Sequence, residues 1–177
     1  MKQTFDDILE TKKLHYDSAV FPPEVLAEVT GKPLNTVRLW NKRVGSDDPN
    51  FQAALRRGLP SRFSFRSLAT YGAATPLIGS GADVATAYRA AKEWSWLGHD
   101  AMGYSQKGRE PLGLFSDDQT VLVYRNACGL VVPLSKLPDV WAQVLFPYGD
   151  RLNAPSLVFL DAVLANTKAA CLKFLNR

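Results

Sequence analysis

Two short helical stripes broken at Thr30-Gly31 constrain this chain more than any other stretch of its sequence. Pro22 and Pro23 open the segment, and Pro23 suits a first helical turn, where the N–H that proline lacks has no partner to lose. Val25, Leu26 and Val29 then fall on one apolar stripe at helical spacing. Gly31 follows, free to take the left-handed conformation that ends a helix. Pro33 opens a second helix. Its inner face carries Val37, Trp40 and Val44, and its outer face Asn35, Thr36, Arg38, Lys42 and Arg43. Two helices joined by a tight glycine turn, the second polar and basic outward, form the pattern of a helix-turn-helix.

In that pattern the second helix, residues 33–43, enters the major groove of double-stranded DNA. Asn35 and Arg38 are the expected base-edge readers, because Asn can bond adenine and Arg guanine in bidentate fashion. Thr36, Lys42 and Arg43 are expected to hold phosphates and fix register. A helical hairpin with a solvated basic face would look similar, so charge has to be weighed. The whole chain carries only +4, yet Lys32, Arg38, Lys42, Arg43, Arg56, Arg57, Arg62 and Arg66 are opposed within their own stretch only by Asp47 and Asp48. A basic patch that coincides with the two-helix unit favours a nucleic-acid surface.

After Val44, Gly45-Ser46-Asp47-Asp48-Pro49-Asn50 is a dense turn signal. The alternation in Arg62-Phe63-Ser64-Phe65 suggests a brief strand. A basic loop here is where a winged helix carries its wing, with Arg56, Arg57 and Arg62 on the DNA backbone. A third helix is expected from near Ser64 to Leu77. A fourth runs from Ala82 to Leu97, capped by Ser80 with Asp83 reaching back, and buries Val84, Ala87, Tyr88, Ala91 and Trp94. The glycines at Gly79 and Gly81 match no complete phosphate-binding loop.

Residues Phe21 to about Leu97 resemble the winged-helix domain of the MerR-like regulators and the related phage excisionases. The likeness rests on Val29-Thr30-Gly31, on Thr36-Val37-Arg38-Leu39-Trp40, on Arg62-Phe63-Ser64-Phe65 and on Gly81-Ala82-Asp83-Val84. It implies DNA contacts for Asn35, Thr36 and Arg38, with Arg62 on the wing. Leu39 stands where the family carries a phosphate-binding tyrosine. The connection from Val44 to Arg62 is longer than in the family, and no long heptad helix follows residue 97.

The second half differs in character. Residues 98–111 read as a polar linker. Thr120–Tyr124 and Gly129–Leu134 read as a strand pair, with a hairpin turn at Arg125–Cys128. A helix is expected over Leu137–Phe146, and an apolar-rich one over Pro155–Leu175. At the N-terminus, a short helix with Phe5, Ile8 and Leu9 inward is expected. The fold class expected is therefore α+β and mainly helical. A winged helix-turn-helix domain over residues 1–98 would precede a small C-terminal domain over 112–177 for dimerisation or sensing.

Cys128 and Cys171 belong to no C-x-x-C pair and read as reduced core residues. His15 and His99 have no ligand-spaced companion, so neither a metal nor another cofactor is expected. Asp117-Asp118 reads as a solvated turn, and Trp94, Trp96 and Trp141 as core or interface anchors. No enzyme activity is expected. No apolar run approaches the length of a membrane span, and the first residues lack a signal-peptide core, so a cytoplasmic, nucleoid-associated location follows. The function expected is sequence-specific DNA binding by a homodimeric transcriptional regulator, with no residues pointing to a small-molecule effector. An excisionase-like architectural factor and a protein-interaction module are the alternatives.

Overall fold

The computed structural model describes residues 4–44, 48, 61–97, 109–125, 127–140 and 155–176. Helix α1 (Phe5–Thr11) starts with a reciprocal cap: the Asp7 N–H donates to Thr4 Oγ1 at 3.2 Å, and the Thr4 N–H donates to Asp7 Oδ2 at 2.8 Å. Phe5, Ile8 and Leu9 are buried, as their spacing predicts. Helices α2 (Pro23–Thr30) and α3 (Leu34–Val44) follow, and Gly31 between them takes φ +62°. Pro33 lies just outside α3, its carbonyl accepting from the N–H groups of Thr36 and Val37.

Helix α4 (Phe65–Gly79) is capped by Ser64, which accepts from the Ser67 N–H at 3.0 Å. Phe65 is therefore helical, and the strand expected over Arg62–Phe65 is reduced to bridge residues at Arg62 and Phe63, Phe63 pairing with Phe21. The cap of α5 (Val84–Ser95) also differs from expectation. Asp83 itself accepts from Ala85 and Thr86 at 3.0 and 3.3 Å. Ser80 instead closes α4, donating to the Leu77 carbonyl at 2.8 Å, because Gly81 at φ +100° turns the chain between the two helices. All five residues of the expected inner stripe of α5 are buried.

The expected hairpin is present as β1 (Thr120–Arg125) and β2 (Cys128–Pro133). A third strand, β3 (Ser156–Phe159), pairs antiparallel with the other side of β1 and gives the order β2-β1-β3. This strand corrects the expected helix over Pro155–Leu175: the helix, α6, spans only Leu160–Leu175. A continuous apolar run hides a period of two until a partner strand divides its faces. Here Leu122 pairs with Val131 and Val158, all turned to the main core. Their neighbours Val121, Val123 and Val132 form a smaller cluster with Val140 on the opposite face. Residues 137–140 are helical, and the rest of the helix expected there lies outside the described residues, as does Trp141.

Helix α4 runs through the centre, with α2, α5 and α6 packed around it. Leu68, Ala69, Tyr71, Ala73, Ala74 and Leu77 are fully buried. The core joins Leu26, Val37 and Trp94 to Val158, Leu160 and Cys171, so the stretches 1–98 and 112–177 share one apolar interior. The end of the expected linker is fixed as well. Buried Arg109 donates to the carbonyls of Trp94 and Glu93 at 2.9 and 2.8 Å, placing a cation at the C-terminal end of α5. Both cysteines are free, but only Cys171 is a core residue; Cys128 is exposed at the start of β2.

The glycines differ in how closely the rest of the fold approaches them. A Cβ on Gly129 would lie 2.4 Å from the Ala90 carbonyl oxygen, so β2 and α5 meet backbone to backbone there. Gly79, in contrast, has open space where its Cβ would be. Gly129→Ala should cost about 1–3 kcal/mol, as overpacking does. Gly79→Ala should gain up to about 1 kcal/mol from helix propensity. Denaturant midpoints of the two variants check both signs.

Hydrogen bonds from Thr86 and Ala85 hold the Asp83 carboxyl below its ordinary value of 3.8, and bonds from Ser135 and Gln119 do the same for Asp118. Folding lowers these values, so the stability they contribute is complete above 3.8 and is lost as pH falls through the folded values. The Asp83→Ala/Asp118→Ala variant should therefore show a flatter loss of stability below that pH, read from acid titration of the unfolding midpoint.

Candidate nucleic-acid interface

Helix α3 is fastened on its inner side by both apolar and polar contacts. Val37, Trp40 and Val44 are 1%, 7% and 2% exposed, and the helix packs against α2 and α5. Beyond its end, Asp48 is also buried, and Ser67 Oγ donates to Asp48 Oδ1 at 2.8 Å. Ser64 and Ser67 share a hydrogen bond at 3.0 Å, and the Tyr71 hydroxyl donates to Asn41 Oδ1 at 3.3 Å. Burial, and then the charge of Asp48, push the Tyr71 and Tyr88 phenols well above their ordinary value. The sequence shows Asp48 only as one of two acids opposing the basic stretch. The Tyr71 hydroxyl takes Asn41 as its partner and the buried Asp48 accepts from Ser67, pairings that no spacing in the sequence marks.

The outer side of α3 is open. Asn35, Arg38, Leu39, Lys42 and Arg43 are exposed, and Thr36 is half-buried. Residues three and four apart are neighbours on a helix, so these side chains form one continuous face. No acidic residue occupies the first turn of α3, and Lys42 and Arg43 lie in its last turn. The positive N-terminal end of α3 thus meets no acid in its own first turn, which favours an anion.

The remaining expected site residues have other fates. Arg62 sits beside the Phe21–Phe63 bridge, half-buried, with Nη1 donating to the Val20 carbonyl at 3.4 Å. Arg56 and Arg57, and the wing expected to carry them, lie outside the described residues. Arg66, counted in the basic stretch, is structural. It donates to Asp17 at 2.6 and 3.1 Å and to the Ser95 carbonyl at 2.6 Å, and its guanidinium lies 5.1 Å from the Trp96 ring centre.

A cavity of about 680 Å³ opens between the start of α5 and the β1–β2 hairpin, with Asp83, Thr86, Tyr124, Arg125 and Ser156 in its lining. Nε and Nη1 of Arg125 are buried without a hydrogen-bond partner, so a ligand in the cavity would not reach them as they are placed. Asp83 in its wall is committed to capping α5. Among the described residues, no three His, Cys, Asp or Glu side chains converge to hold a metal ion, and no helix is long and apolar enough to cross a membrane. Comparison of the chain with protein-family models, with curated proteins and with solved structures gave no match.

Proposed function

We propose that this protein binds double-stranded DNA sequence-specifically as a MerR-like winged helix-turn-helix regulator, with α3 lying in the major groove. The observation that carries the reading is the exposed face of α3, where Asn35, Arg38, Lys42 and Arg43 stand together on a helix anchored through its opposite side. Asn35 and Arg38 read base edges. Thr36, Lys42 and Arg43 hold phosphates, and the basic segment 56–62 holds the backbone beside the groove. Two facts strengthen the electrostatic support. Asp48, one of the two acids in the basic stretch, is withdrawn from solvent, and the first turn of α3 carries no acid. A homodimer would place two copies of α3 on half-sites about 34–36 Å apart, one turn of the duplex.

Selection of duplexes from a random pool, followed by titration across salt, tests this reading. Arg38→Ala should relax base preference at one or two positions and cost about 1–3 kcal/mol there. Lys42→Ala should weaken all sequences alike and lower the salt slope by about 1. Sequence-blind losses of equal size would overturn this division of labour. No selective binding at low salt would overturn DNA recognition itself and assign the basic face to an acidic protein partner.

A further inference from the structure

We propose that Leu39 is a specificity residue that reads the 5-methyl group of a thymine in the major groove, an inference that rests on the DNA-binding reading above. Three large apolar side chains are exposed among the described residues: Leu39, Leu97 and Phe159. Leu39 is 58% exposed, and it alone of the three lies within the polar and basic face of α3. On a helix of 3.6 residues per turn, Asn35 and Arg43 each lie about 40° around the axis from it, one turn before and one turn after. Lys42 is about 60° away on the same open side. The apolar side chain therefore sits between the groups that read bases and the groups that hold phosphates.

Leucine has no hydrogen-bond donor or acceptor, so it can neither grip a phosphate nor pair with the polar edge of a base. Among the four ordinary bases, the apolar group displayed in the major groove is the thymine methyl. The surrounding Arg38, Lys42 and Arg43 select a polyanion as the occupant of this face, which commits the contact to DNA rather than to an apolar protein partner. Among the described residues, Leu39 also has no packing role in the core that would explain its type. It is not among the core residues or the half-buried ones packed on them, whereas Val37 and Trp40 on either side fill the interior.

The test uses the full chain and the duplex it selects from a random pool. Each thymine in turn is replaced by uracil, which removes the methyl group and leaves the hydrogen-bonding edge and the phosphates unchanged. The unaltered protein should lose about fourfold in affinity at one or two positions, the value of burying one methyl group. Leu39→Ala should bind the thymine and uracil duplexes equally, while Leu39→Met should keep part of the discrimination; circular dichroism confirms that both variants fold. Selective binding with no uracil-sensitive position, or the same uracil loss in Leu39→Ala, overturns the role of Leu39 and leaves DNA recognition standing. Failure of the unaltered protein to select any duplex overturns both.

Discussion

Burial of α4 on almost every side is the constraint from which the rest of this structure follows. A helix whose Leu68, Ala69, Tyr71, Ala73, Ala74 and Leu77 are all fully buried must be enclosed by neighbours rather than laid on a surface. Its small residues allow the close approaches that make this enclosure feasible. At Gly72 a Cβ would lie 3.1 Å from Val163 of α6 and 3.3 Å from Val29 of α2, so three helices converge on one point. Because the chain supplies α6 from its far end, the interior is completed only when residues 160–175 have returned to it. Exposed ion pairs, Lys168–Asp6 at 3.0 Å and Lys173–Glu28 at 2.8 Å, join α6 to α1 and α2; pairs of this kind contribute at most about 1 kcal/mol each. Packing, not charge, holds the helix there.

The polar interior has a separate task. Asp48, Ser64, Ser67, Tyr71 and Asn41 connect the end of α3 to α4 through hydrogen bonds between 2.8 and 3.3 Å. Hydrogen bonds are directional where apolar contacts are not, so this network fixes the position of α3 as well as its depth. A recognition element needs that property: side chains must meet a partner from a rigid element if they are to discriminate. The same logic explains why Arg66 is unavailable to a ligand. Its guanidinium joins Asp17 and the end of α5, and its charge is satisfied within the fold.

The α2–turn–α3 unit was legible from residue spacing because each signal in it is local. Pro23 marks a first turn, Gly31 a left-handed cap, and Val37, Trp40 and Val44 an inner face, and each takes the expected place. The β1–β2 hairpin was legible for the same reason. The cap of α5 was misplaced by three residues, because two acceptors, Ser80 and Asp83, compete and only the φ of Gly81 decides between them. Strand β3 was misread because Leu157 and Val158 are apolar on both faces, and only pairing with β1 shows that they point to different clusters. Within the candidate interface, the exposed face of α3 was legible, whereas the burial of Asp48 and the inward turn of Arg66 were not. A charged residue found in a basic stretch carries no mark of the partner that will meet it.

By itself, then, the sequence determined what neighbours along the chain can settle: the helical stripes, the glycine break, the hairpin and the polar and basic character of the outer face of α3. Only the tertiary structure decided that Asp48 and Arg66 of the basic stretch turn inward, where the run after Pro155 changes from strand to helix, and that the C-terminal helix closes the core begun by the N-terminal ones. The physical reason is range. Caps, turns and helical periodicity act over about four residues. The partners of Asp17, Gly72 and Val158 lie tens of residues away, and no local rule selects them.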